Sequence, residues 1–213
     1  MDTLVLSIIV ANVLFSYKGF QDRSFMETYK FQIGPILNGQ KIRMLSSGFL
    51  HVDYMHLGFN MYALYLFSGV VQHSLGGLFF LLVYFGSLFA GNLFSLYYHK
   101  NEPYYSAVGA SGAVSGIVYS AILIYPDMTL IMFPIPIPLP GYVFGIGYLL
   151  YTIYGMKKQL GNIGHSAHLG GAIGGFAITL IGYPSLFFEN TLMVVLLAIP
   201  IVLVMILQKK GHL

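Results

Sequence analysis

Ser111 stands among small residues, in Val108-Gly109-Ala110-Ser111-Gly112-Ala113-Val114-Ser115-Gly116, where a polar loop turns into an apolar helix. A hydroxyl at a helix start lies beside backbone N–H groups without intrahelical partners, and small neighbours let a second backbone come close. Both features suit a nucleophile, and both also suit plain packing between membrane helices. Two further polar clusters open apolar segments. In His51-Val52-Asp53-Tyr54-Met55-His56-Leu57-Gly58-Phe59-Asn60, His56 and Asn60 lie one helical turn apart on one face, while His51 precedes the span. In Gly164-His165-Ser166-Ala167-His168-Leu169-Gly170-Gly171-Ala172-Ile173-Gly174-Gly175, His168, Gly171 (or Ala172) and Gly175 share a face. Gly112 and Gly116 offer a matching smooth face. Two such faces pack closely, which would bring His168 within hydrogen-bond reach of Ser111.

The chemistry these types support is acyl transfer. A serine hydroxyl is a poor nucleophile until a base takes its proton, and a neutral imidazole on an adjacent helix does so. Attack on a peptide carbonyl creates an oxyanion that needs donors. The Ser111 backbone N–H, the His56 ring and the Asn60 amide are the candidates. No acidic residue lies in these helices to orient His168, so the expectation is a Ser–His dyad rather than a triad. Histidine and asparagine in membrane helices also serve as interhelical glue, worth about 0.6–2 kcal/mol per bond. Three clusters opening on one face weigh against that reading.

The elements that position these residues follow from composition. Of 213 residues, 57% are hydrophobic and only 8% charged, against about 25% charged in a soluble domain. Mean hydropathy is +0.76. Such a chain belongs in a lipid bilayer. The net charge of +3 carries no Lys/Arg run interleaved with aromatics, so nucleic-acid binding is set aside. The absence of cysteine removes thiolate nucleophiles, disulfides and cysteine metal sites. Without tryptophan, the interfacial aromatic role falls to the 17 tyrosines. Met1-Asp2-Thr3 lacks the basic start of a signal peptide, and the first apolar segment is read as a retained helix.

Charges, Pro and Gly divide the chain into seven candidate spans: Thr3–Tyr17, Tyr54–Val71, Leu75–Tyr98, Ser111–Tyr125, Gly141–Met156, His165–Ile181 and Leu186–Leu207. The second and third part around Gln72-His73-Ser74. The run Pro134-Ile135-Pro136-Ile137-Pro138-Leu139-Pro140 is expected to be an extended, polyproline-like connector, and Pro200 to kink the last span. Seven spans put Lys18–Asp53, His99–Gly109, Lys157–Gly164 and the C-terminus on one side. All ten Lys/Arg residues are there too, which under the positive-inside rule makes it the cytoplasmic side.

The set His51…His56…Asn60, Gly109-Ala110-Ser111-Gly112 and Ala167-His168-Leu169-Gly170-Gly171…Gly175 resembles the rhomboid intramembrane serine proteases. Arg43, upstream of His51, resembles the Arg of that family's Trp-Arg motif. The resemblance runs from about Arg43 to Gly175. It implies an all-α, polytopic membrane helix bundle, with a six-helix core over 1–185 and a seventh helix with a basic tail over 186–213. It implies Ser111 as nucleophile and His168 as general base, with His56, Asn60 and Gly109 at the oxyanion and substrate site. His51, Arg43, Gly112, Gly171 and Gly175 would be structural. The implied substrates are transmembrane proteins whose helix unwinds near the membrane face, cut at small residues, in a bacterial cytoplasmic membrane. No cofactor or metal is implied.

Two departures from the family pattern stand out. The aromatic residue that often packs on the histidine, one turn after the serine, is Ser115 here, leaving Tyr119 or Phe59 to orient His168. The Trp of the Trp-Arg pair is Ile42. The family usually opens its site away from the cytoplasm, opposite to the Lys/Arg count, and the family orientation is the one adopted. A non-catalytic rhomboid-like protein that binds membrane clients is the alternative. A metal or haem protein using His51, His56, His165 and His168 is a third class, though His-Glu-x-x-His is absent and Ser111 would have no role.

Overall fold

Helix ends in this chain are set by a few capping residues. The computed structural model describes residues 2–132, 135–158, 160 and 163–209. Helix α1, Thr3–Gln21, starts where Asp2 accepts the Leu4 N–H, and runs one turn past the expected end at Tyr17. Asp22 closes it and its carboxylate then accepts the Phe25 N–H to open α2, Arg23–Tyr29. The long first loop is structured. After α2 come strand β1 (Phe31–Gln32), the short helices α3 (Ile33–Leu37) and α4 (Arg43–Ser46), and a 3-10 turn at Ser47–Phe49.

Asp53 caps α5, Tyr54–Leu75, by accepting the His56 N–H. The break before α6, Gly77–Tyr98, falls at Gly76 and not at Gln72-His73-Ser74. Gly76 has φ +82°, a conformation glycine adopts without a Cβ penalty, whereas the three polar residues simply continue the helix. Strand β2, Ser106–Ala107, precedes α7, Ser111–Ile124.

The proline-rich run is a correction. Within the described residues, Ile135–Pro140 forms strand β4, paired antiparallel with β3, Thr129–Met132, with a register irregularity at Ile131/Met132. Prolines at alternate positions put every missing N–H on one edge and leave the N–H groups of Ile137 and Leu139 on the other. Pro134 lies outside the described residues. Helix α8 spans Gly141–Lys158 and α9 His165–Gly182. The last expected span divides into a short α10, Leu186–Glu189, and α11, Thr191–Lys209, which carries Pro200 inside it.

Seven long helices are thus present among the described residues: α1, α5, α6, α7, α8, α9 and α11. Taken alone, α1 and α6 are long and apolar enough to cross a bilayer. Helix α7 is the central one, with every residue from Gly112 to Leu123 buried. It is clasped by α6 and α9 through glycine. A Cβ on Gly171 would overlap the Gly112 carbonyl, and one on Gly175 the Gly116 backbone; one on Gly170 would lie 2.9 Å from the Ala90 carbonyl of α6. Gly91 of α6 and Gly112 of α7 both abut the Ala167 carbonyl of α9. The expected pairing of Gly112 and Gly116 with Gly171 and Gly175 is what the helices do. Alternate glycines of α9 serve a second neighbour, α6.

Candidate active site

The first loop and the serine loop meet on one face. Strand β1 pairs with β2, Phe31 opposite Ala107 and Gln32 opposite Ser106. Arg43, only 6% exposed, gathers the end of α2: its Nη1 donates to the Glu27 and Lys30 carbonyls (2.8 and 2.9 Å) and its Nε to Gln40 Oε1 (2.7 Å). Asn92 of α6 donates to the Met44 carbonyl (2.7 Å) and the Ser47 hydroxyl (3.3 Å). Ser47 in turn accepts the Gly109 N–H at its carbonyl, 3.0 Å away. The loop that leads to Ser111 is therefore tied to the first loop by backbone.

His51 completes that tie. It is fully buried, and the Ala110 N–H donates to its Nε2 (3.4 Å). Ser16 of α1 gives its hydroxyl proton to the Phe49 carbonyl (3.0 Å) and sits 2.8 Å from His51 Nδ1. With Nε2 accepting and the Ser16 proton committed, Nδ1–H is the donor of the second bond. Burial, reinforced by His56, pushes the His51 imidazole down to about 3 against a smaller opposing pull from Asp53. The ring is neutral at physiological pH. His51 thus links α1 to the residue before Ser111.

Ser111 is the first residue of α7, after Ala110. Gly109 has φ +138°, and a Cβ there would sit 2.8 Å from the His56 ring and 3.5 Å from Ser111 Oγ. Glycine leaves a small open space bounded by the His56 ring and the serine hydroxyl. His56 Nδ1 is buried with no hydrogen-bond partner among the described residues, and Nε2 is the ring nitrogen on the Gly109 side, 3.0 Å from where a Gly109 Cβ would lie. Asn60, also buried, donates its amide to the His56 carbonyl at 3.0 Å, which occupies one of its two N–H groups.

His168 lies in the first turn of α9. With Ser111, His56, Asn60, Ser115 and Tyr148 it lines a cavity of about 1060 Å³. No hydrogen bond joins Ser111 to His168 among the described residues, although the helices bearing them touch at Gly112 and Gly171. His168 is flanked by His165, centroids 6.3 Å apart, and stacked on Tyr148 at 5.8 Å and 25°. The aromatic neighbour is neither Tyr119 nor Phe59. Tyr119 instead donates to the Gly145 carbonyl of α8, and Phe59 is exposed.

His165, the first residue of the span expected from His165 to Ile181, is the buried first residue of α9, its Nε2 3.2 Å from the Leu160 carbonyl. Among the described residues no three His, Asp or Glu side chains are grouped to hold a metal. Sequence reasoning missed Tyr148, Ser16 and Gly91. Only Gly91 carried a usable signal, as part of the small-residue pattern Gly86…Ala90-Gly91.

Residues 38–185 match the Rhomboid domain family. The chain is 33% identical over 138 residues to "Rhomboid protein 1, mitochondrial" of Saccharomyces cerevisiae, covering 63% of this chain and 40% of that protein. It is 28% identical over 186 residues to "RHOMBOID-like protein 12, mitochondrial" of Arabidopsis thaliana, covering 79% and 55%. "Rhomboid protease GluP" of Bacillus subtilis is 33% identical over 150 residues, covering 70% of this chain and 28% of that protein. The matches therefore span between 28% and 55% of these relatives' lengths. With the domain match running from the end of the first loop through α4 to α9, the chain belongs to the rhomboid family, whose fold is a polytopic membrane helix bundle.

Proposed function

We propose that the protein is an intramembrane serine endopeptidase that cuts transmembrane segments with a Ser111–His168 dyad. The observation that carries the reading is the convergence of Ser111, at the first position of α7, and His168, in the first turn of α9, on one cavity beside the His56 and Asn60 pair. In this mechanism His168 takes the Ser111 proton as Oγ attacks the scissile carbonyl. The oxyanion enters the space that Gly109 leaves open and takes hydrogen bonds from the Ser111 N–H, His56 Nε2–H and the remaining Asn60 N–H. His168 returns the proton to the leaving amine, and water then hydrolyses the acyl-enzyme by the same path in reverse.

The proposed substrates are membrane proteins with a helix that unwinds near the membrane face. No cofactor enters any step. The proposed setting is a bacterial cytoplasmic membrane with the site facing away from the cytoplasm; the Bacillus relative supports it, and the mitochondrial relatives name the competing setting. Domain division follows the same reading, residues 1–185 as the catalytic core and 186–213 as an added helix.

One observation favours a second reading, a client-binding protein without catalysis: the Ser111 hydroxyl and His168 are not hydrogen-bonded. Labelling of the detergent-solubilised protein by a fluorophosphonate, beside Ser111→Ala and His168→Ala, separates the two. Labelling and cleavage of a test transmembrane substrate, both lost in each variant, are expected. Folded wild type that neither labels nor cuts would overturn the protease reading in favour of the client-binding one.

A further inference from the structure

A histidine base on a membrane helix needs its ring held toward the nucleophile, and three helices meet to do so here. One turn after Ser111, α7 carries Ser115, a side chain too small to cover an imidazole. Helix α8 supplies the ring instead. Tyr148 stacks on His168 with centroids 5.8 Å apart and planes 25° from parallel. The Tyr148 hydroxyl lies 3.0 Å from the Ser115 hydroxyl, which is 3% exposed. A near-parallel stack restricts rotation of the imidazole while leaving both ring nitrogens free for proton transfer. The phenol hydroxyl of the half-buried Tyr148 has found a partner at the other end. Among the described residues, the titratable side chains against the His168 ring are Tyr148 from α8 and His165 from its own helix, with His56 of α5 across the cavity and Lys30, Asp53 and Tyr105 elsewhere on its lining.

Helix α8 is fastened to α7 on the same face, since Tyr119 of α7 donates to the carbonyl of Gly145, one turn before Tyr148. Gly145 permits this approach; a Cβ there would lie 3.1 Å from Ile122 of α7 and 3.2 Å from Leu197 of α11.

We propose that Tyr148, held by Ser115, is the positioning residue for His168, so that the dyad is aligned only while α8 is seated against α7. This rests on Ser111 and His168 being the reacting pair. The support that would come from α7 is moved to α8, and Ser115 is the small polar residue that makes room for it and holds it.

The test is kinetic, on the full chain in detergent and in liposomes, with a test transmembrane substrate. Tyr148→Ala is expected to lower kcat about tenfold or more with KM within about twofold, as lost alignment rather than lost binding requires. Tyr148→Phe keeps the ring and is expected to retain about a third or more of wild-type kcat. Ser115→Ala is expected to match it, and Ser115→Ala/Tyr148→Phe to be no worse than about twofold below either single variant, because both remove one bond. Ser115→Phe added to Tyr148→Ala restores a ring from α7 and is expected to raise kcat about fivefold over Tyr148→Ala.

An unchanged kcat in Tyr148→Ala, or a loss confined to KM, overturns the proposal. If Tyr148→Ala does not fold, additive losses in the Ser115→Ala and Tyr148→Phe pair do the same. Activity surviving Ser111→Ala marks failure of the dyad itself and takes this proposal with it, a result distinct from an intact dyad indifferent to Tyr148.

Discussion

In the proposed mechanism, Gly109 decides how close a substrate carbonyl comes to Ser111. Its φ of +138° is costly for any L side chain, and a Cβ would meet the His56 ring at 2.8 Å. Gly109→Ala is therefore expected to lower kcat/KM by about 10²-fold, the cost of losing an oxyanion position. A strain cost of about 1–3 kcal/mol accompanies it. Cleavage assays beside thermal unfolding separate the two, and wild-type kcat/KM would remove Gly109 from the oxyanion site.

His51 makes a different kind of prediction. Its imidazole is held near 3 by burial, against an ordinary value near 6.5. The unfolded chain binds this proton more readily than the native one between those values, so stability is full above about pH 6.5 and falls as pH drops toward 3. Unfolding in detergent across pH 4–8 is expected to show that decline, and His51→Asn to flatten it. An equal slope in the variant would assign the acid sensitivity to another group.

At the scale of elements, glycines fall into two classes according to what a Cβ would meet. Gly171 faces the Gly112 carbonyl, a backbone group that cannot rotate aside, whereas nothing lies within 4 Å of a Cβ on Gly69 or Gly147. Gly171→Ala is expected to destabilise by about 3 kcal/mol or more and to separate α7 from α9. Gly69→Ala is expected to be neutral or stabilising by about 0.5–1 kcal/mol. Thermal unfolding of both variants in one detergent checks the contrast, and equal effects would refute the close α7–α9 contact. The same contact places Ser111 and His168 on one cavity, so stability and activity should fall together in Gly171→Ala.

Across the whole molecule, charge and family disagree about orientation. All ten Lys/Arg residues are assigned to the serine side. The β1–β2 pairing and the His51–Ala110 bond join the first loop to the serine loop, so these two cannot lie on opposite sides. Many of the first-loop charges are spoken for locally: Arg43 is enclosed by carbonyls, and Lys18 and Lys30 pair with Asp22 and Glu27 at 3.0 and 2.7 Å. We expect Lys209→Cys, in a chain that otherwise has no cysteine, to react with a membrane-impermeant maleimide in intact cells. Protection from it, with labelling after lysis, would place the serine face in the cytoplasm.

The number of long helices and their order were legible in the sequence, as were the candidate residues on each helix, because bilayer length and helical period leave a local imprint on composition. Ser111 at a helix start, His56 and Asn60 a turn apart, and the facing glycines of α7 and α9 all follow from spacing along a single helix. What tertiary structure decided lies between elements. The chain from Ser16 through His51 to Ala110, the folded first loop under Arg43, and the pairing of the proline run as a strand each join segments far apart in sequence. The ring on His168 is the plainest case. Any of the 17 tyrosines could have filled the gap left by Ser115, and only the packing of α8 against α7 selects Tyr148.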